Sequence, residues 1–141
     1  MSAAADVQAY LDAQGITGGA WPSVLRRTHD GSNQLVVLTE DGGAPPETSA
    51  AAGIGSSALG SPRVQVRVRG APWDGNGSEA KAAEILEKLR GRQALTMGGT
   101  LYMLVAALTF EPVFMGYDDN GRPEHTVSFD LTRAVPAPTT T

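Results

Sequence analysis

The chain has no cysteine, which excludes a disulfide framework and any thiolate metal site, so its fold has to be held by packing or by assembly. It has only two histidines, His29 and His125, and neither has a partner at metal-ligand spacing. No apolar run approaches the ~20 residues that span a bilayer. The opening Met-Ser-Ala-Ala-Ala-Asp lacks the basic and apolar regions of a signal peptide, so the chain reads as soluble, without a membrane partner. A basic excess is missing as well, since the net charge is −4. Residues 1–60 carry two bases against six acids, residues 61–93 seven against four, and residues 94–141 two against five. An autonomous nucleic-acid binder would be basic, so any contact with DNA must be local.

What is present suits one domain. A length of 141 residues is near the usual size of a single domain, and 41% apolar residues are enough for one core. The 17 glycines and nine prolines cluster, which points to long loops around a compact centre. Between Ala3 and Gln14, Val7, Tyr10 and Leu11 recur at helical spacing, with Asp6, Gln8 and Asp12 on other faces and Gly15 as the stop. Trp21-Pro22-Ser23 is held extended by its proline and leads into a turn at residues 29–33. Leu35–Thr39 is rich in β-branched and aliphatic residues and reads as a strand that Gly42-Gly43 ends. Residues 42–61, GGAPPETSAAAGIGSSALGS, offer almost nothing that could anchor a core and are expected to form a flexible loop or arm.

The segment from Pro62 to Gly70 alternates cleanly, with Val64, Val66 and Val68 on one face and Arg63, Gln65, Arg67 and Arg69 on the other. A second helix is expected from about Ser78 to Arg90: Ala82, Ile85, Leu86 and Leu89 share a face, Glu84 is placed to pair with Lys88, and Asn76 or Ser78 can cap the start. Ala94–Met97, Gly98-Gly99 and Thr100–Phe110 read as a β-hairpin, because adjacent glycines supply the positive φ angles of a tight turn. Its second strand, TLYMLVAALTF, is apolar on both faces. Helices on one side of a small sheet cover one face only, so Leu101, Met103, Val105 and Ala107 are candidates for contact with another subunit. Thr126–Thr132 alternates again, with Val127, Phe129 and Leu131 inward, and residues 136–141 are expected to be a disordered tail.

The chemical inventory is thin. Catalysis needs acids, bases or nucleophiles gathered in a cleft, whereas the carboxylates here lie mostly in glycine-rich loops and both histidines read as surface residues. Residues 53–58, GIGSSA, fit a loose dinucleotide-loop pattern but precede a proline and a strand instead of opening a helix, so a flexible loop explains them better. Asp118-Asp119-Asn120-Gly121 lacks the register of a calcium loop and reads as a reverse turn. No cofactor and no metal site is expected. The stripe Arg63, Gln65, Arg67 and Arg69 has two readings, a solvated strand face or a set of forked hydrogen-bond donors that meet phosphates or carboxylates across an interface. The residues do not choose between DNA and a neighbouring subunit.

The order of segments resembles a known family. A leading amphipathic helix, Trp21-Pro22-Ser23 before LVVLTEDGG, then PRVQVRVRG, an alanine-rich helix, a Gly-Gly hairpin and finally DDNGRPEHTVSFDL look like the tail terminator or minor capsid (head-to-tail connector) proteins of siphophages, over residues 5–133. The resemblance implies a single α/β (α+β) domain over residues 1–135, with two helices and a mostly antiparallel sheet of four to five strands. It also implies a hexameric ring of identical subunits in the virion neck. Such a ring caps the tail tube protein, docks to a head completion or connector protein, and passes genomic DNA through its lumen without catalytic residues or a cofactor. A head completion or minor capsid connector protein of the phage neck is the nearest rival. A small enzyme or binding domain would need a pocket around His29 or His125 with a paired carboxylate.

Overall fold

The computed structural model describes residues 2–25, 33–40, 44–47 and 58–135. Among these residues two helices, α1 (Ala3–Ala13) and α2 (Gly75–Leu89), accompany nine strands. These are β1 (Ser23–Leu25), β2 (Leu35–Glu40), β3 (Ala44–Glu47), β4 (Ala58–Ser61) and β5 (Arg63–Arg69), then β6 (Gln93–Met97), β7 (Thr100–Ala107), β8 (Val113–Tyr117) and β9 (Pro123–Val135). The helices and the α+β class are as expected, but the sheet is larger than four to five antiparallel strands and it is mixed. Its body has seven strands, with β1 parallel to β2 and the rest antiparallel, and the β3–β4 hairpin adds to it through β4.

The reason lies in β9. Thirteen residues long, it is paired twice along each edge. On one edge β5 takes Glu124 to Asp130 and β4 takes Arg133 to Val135. On the other, β8 takes Pro123 to Thr126 and β7 takes Phe129 to Arg133. Alternation then sets the two faces of the sheet. Val64, Val66 and Val68 of β5 and Val127, Phe129 and Leu131 of β9 are fully buried in one cluster with Val7 and Leu11 of α1 and Ala82, Ile85, Leu86 and Leu89 of α2. Both helices therefore lie on that face, and no described helix covers the other.

Several local features differ from the sequence expectation. Asp74, not Asn76 or Ser78, caps α2, its Oδ1 accepting from the Gly77 N–H at 3.0 Å, so the helix begins at Gly75 and Ser78 is buried inside its first turns. Lys81 pairs with Glu84 at 2.5 Å, and Glu87 pairs with Arg90. Asp6 is fully buried on α1, because it stands one turn from Ala3 on the inward stripe, and its Oδ2 accepts from Tyr102 Oη at 2.5 Å. The Gly98-Gly99 turn has φ of 58° and 84°, the tight hairpin geometry expected, and a Cβ on Gly98 would fall on Asp6 Oδ1. Of the expected arm at residues 42–61, residues 44–47 and 58–61 form the β3–β4 ladder. The remainder of that arm, His29, most of the GIGSSA pattern and the tail 136–141 lie outside the described residues.

Candidate functional site

The arginine stripe lies on the helix-free face and is largely answered from within the chain. The β5–β9 register sets Arg63 opposite Asp130, and Arg63 Nε donates to Asp130 Oδ1 at 2.8 Å. Arg67 stands 4.0 Å from Glu124, and Gln65, half-buried, faces Ser128. Arg69 is buried at the end of the stripe, where its Nε donates to the Asn33 carbonyl at 3.1 Å. The stripe thus presents Arg63, Gln65 and Arg67 to solvent beside carboxylates, and withdraws Arg69.

The apolar strand β7 is divided by a bulge. Its register against β9 shifts between Tyr102 and Leu104, so the inward positions become Tyr102 and Val105, both fully buried, with Ala107 partly buried against the core. Leu101 and Met103, each 48% exposed, and Leu104 remain on the surface. Of the four candidate contact residues, two stand outward and two are turned into the fold. Among the described residues, every exposed large apolar side chain except Leu25 and Trp73 lies between Leu101 and Tyr117.

Beyond β7 the chain makes an excursion at residues 108–112 and then resumes against β9 as β8. The Leu108 N–H still donates to the Ser128 carbonyl at 2.8 Å, but Phe110 stands out, 81% exposed. Arg90 holds this excursion, donating to the Phe110 carbonyl at 3.0 Å and lying 5.4 Å from its ring. A line of rings follows β8: Trp73 to Tyr117 at 5.1 Å, Tyr117 to Phe114 at 5.4 Å, Phe114 to His125 at 5.2 Å. Between this strand and α2 runs a groove of about 600 Å³, with Phe114 and His125 in its wall and Glu79, Glu87 and Glu111 along it.

His125, read as a surface residue, is buried, because β9 is covered on this face by α2 and by Phe114. Its Nδ1 lies 2.7 Å from Ser78 Oγ and its Nε2 3.9 Å from Glu79. Burial lowers its pKa, with partial opposition from Glu79. Serine, histidine and glutamate in that order look like a hydrolytic triad, but Ser78 is fully buried and its Oγ is out of reach of any substrate. Asp118 closes the β8–β9 turn, accepting from the N–H groups of Asn120 and Arg122 and from Arg122 Nε. Burial there raises its pKa, and those hydrogen bonds outweigh it, leaving the pKa lowered.

With this geometry in hand, residues 10–135 match the family described as bacteriophage tail terminator protein. The chain belongs to the bacteriophage tail terminator protein family. In fold it is similar to a chain of a solved structure described as the virion of a native gene transfer agent (GTA) particle, with a TM-score of 0.63 and 15% identity over 94% of this chain and 95% of that one. No curated protein sequence matches it. As a tail terminator family member the chain is a structural component of the phage virion, at the junction of tail and head. Sequence reasoning missed β8 and its groove, because VFMGY has neither alternation nor helical spacing and follows a proline. The one available signal was the density of aromatic residues around it.

Proposed function

We propose that this tail terminator closes into a ring of identical subunits, a hexamer, that caps the tail tube, docks to a head completion or connector protein, lets DNA pass, and performs no catalysis. The observation that carries the reading is the uncovered apolar half of the sheet. Leu101, Met103 and Leu104 stand exposed on a surface that no described helix covers, next to the polar half formed by β5 and β9. Contiguous apolar surface of this kind marks assembly surfaces, and a heterologous contact repeated around an axis closes a ring. In this reading Leu101 and Met103 touch the neighbouring subunit, while Val105 and Ala107 support them from the core. Arg63, Gln65 and Arg67, balanced by Asp130 and Glu124, are the local contact for DNA.

The test is the solution mass by light scattering, alone and with tail tubes, for the natural chain and for Leu101→Asp with Met103→Asp. A ring that the double substitution dissolves supports the proposal. A chain that stays monomeric in the presence of tubes refutes it. In particles assembled without this protein, tails of uncontrolled length are expected, whereas free tails of normal length would favour a head completion role.

A further inference from the structure

The β8 strand is paired on one side only. β9 takes one edge, and among the described residues no strand takes the other. An open edge offers a row of backbone donors and acceptors to an extended segment, which would place its side chains alternately on the two faces. Here those faces differ. On the helix side, Phe114 is 51% exposed in the groove wall with Tyr117 stacked beside it, and Glu79 and Glu111 stand exposed along the groove. Arg90, the base in that groove, is taken up by Glu87 and the Phe110 carbonyl. On the other side Val113, set opposite Thr126, is 42% exposed. Carboxylates beside aromatic faces suit a guanidinium or ammonium group.

We propose that the free edge of β8 and the groove beside it take an extended segment of another virion protein in which basic and apolar residues alternate. The bases enter the groove between Glu79, Glu111 and the ring of Phe114, and the apolar residues lie along Val113. A second copy of this chain does not fit from its described edges. β1 (Ser-Val-Leu), β3 (Ala-Pro-Pro-Glu), β6 (Gln-Ala-Leu-Thr-Met) and β8 itself (Val-Phe-Met-Gly-Tyr) carry no base, and the alternating basic strand β5 is already paired on both sides. Among the described residues nothing supplies such a segment, so we assign the occupant to a different protein, on a surface separate from Leu101 and Met103.

The experiment uses the full chain and a labelled heptapeptide of alternating valine and arginine, with binding followed by fluorescence anisotropy. Three control peptides are needed: glutamate in place of arginine, the same composition in two blocks, and the alternating sequence with N-methylated backbone. Saturable binding of the alternating basic peptide alone is expected, weakened roughly tenfold by Glu79→Lys with Glu111→Lys, two exposed positions whose reversal leaves the far-UV spectrum unchanged. Equal binding of the block or N-methylated peptide, or no loss on charge reversal, overturns the proposal. So does peptide release that tracks growth in the protein's own mass, which would mean that a second copy occupies the edge. The same titration on the Leu101→Asp, Met103→Asp protein separates this proposal from the ring: binding should persist there whatever becomes of the oligomer.

Discussion

Tyr102→Phe removes one buried hydroxyl, which donates to Asp6 and accepts from Arg133 Nη1 at 3.4 Å, with little change in core volume. Tyr102 and Asp6 are both fully buried, and the phenol donates to Asp6 Oδ2 at 2.5 Å, while Asp6 Oδ1 has no hydrogen-bond partner among the described residues. Burial, and then the hydrogen bond to Asp6, push the tyrosine pKa well above its ordinary value, so the phenol keeps its proton and remains the donor wherever the protein folds. Removing that hydroxyl strands a carboxyl group that already lacks one partner. A hydrogen bond to a charged group, together with the penalty of leaving that group buried and unanswered, is worth about 3 kcal/mol. For a chain of this length that corresponds to a fall of about 10 °C in Tm. Urea unfolding followed by far-UV circular dichroism, at a concentration of fixed solution mass, should show a lower midpoint with an unchanged slope. In an Asp6→Ala background the same substitution should cost less than about 1 kcal/mol, because no carboxylate is left to strand. A loss below about 0.5 kcal/mol in the natural chain, or an equal loss in both backgrounds, would refute the reasoning.

Gly98→Ala should destabilise by about 2 kcal/mol or more, since its φ of 58° disfavours a side chain and the new methyl group meets Asp6; a midpoint unchanged in the same urea assay would be the contrary result. Protonation of His125 is opposed in the folded state, so the unfolded chain binds the proton first. Stability should therefore fall as pH drops through the ordinary histidine range near ~6.5 toward the lower folded value, and His125→Gln should flatten that part of the profile. Asp118 behaves the opposite way to a buried neutral group: its lowered pKa contributes stability above the ordinary carboxylate range that is lost on further acidification, and Asp118→Asn should remove that acid limb from the urea midpoints. Arg63→Gln breaks an exposed ion pair with Asp130 and should cost less than about 1 kcal/mol, so a change in DNA retention with unchanged stability and mass would identify a contact with DNA.

Much of this was legible in the residues, and the boundary between what was and was not is physical. The valines of β5 and the Val127, Phe129, Leu131 row of β9 could be assigned to the core because a strand's faces follow from alternation alone. The same held for the inward stripe of α2 and for the Gly98-Gly99 hairpin, where spacing and positive φ are local properties. The order of these segments was enough to point to the tail terminator family, to which residues 10–135 belong. Fold class and family were thus determined by the sequence itself.

Everything that depends on which distant strand lies alongside was decided only in three dimensions. Alternation placed Leu101, Met103, Val105 and Ala107 together, but the bulge against β9 turned Val105 and Ala107 inward and left the other two outside. Arg69 reads like Arg63 in sequence, yet it is covered where its guanidinium reaches Asn33, while Arg63 faces Asp130 across a register that only β9 supplies. Asp6 and His125 look like surface groups until Tyr102 and Ser78 close over them from residues 96 and 47 positions away. The open edge of β8 is the extreme case: a strand is an edge only with respect to the whole sheet, so neither its free backbone groups nor its acidic, aromatic groove can be read from five residues of local sequence.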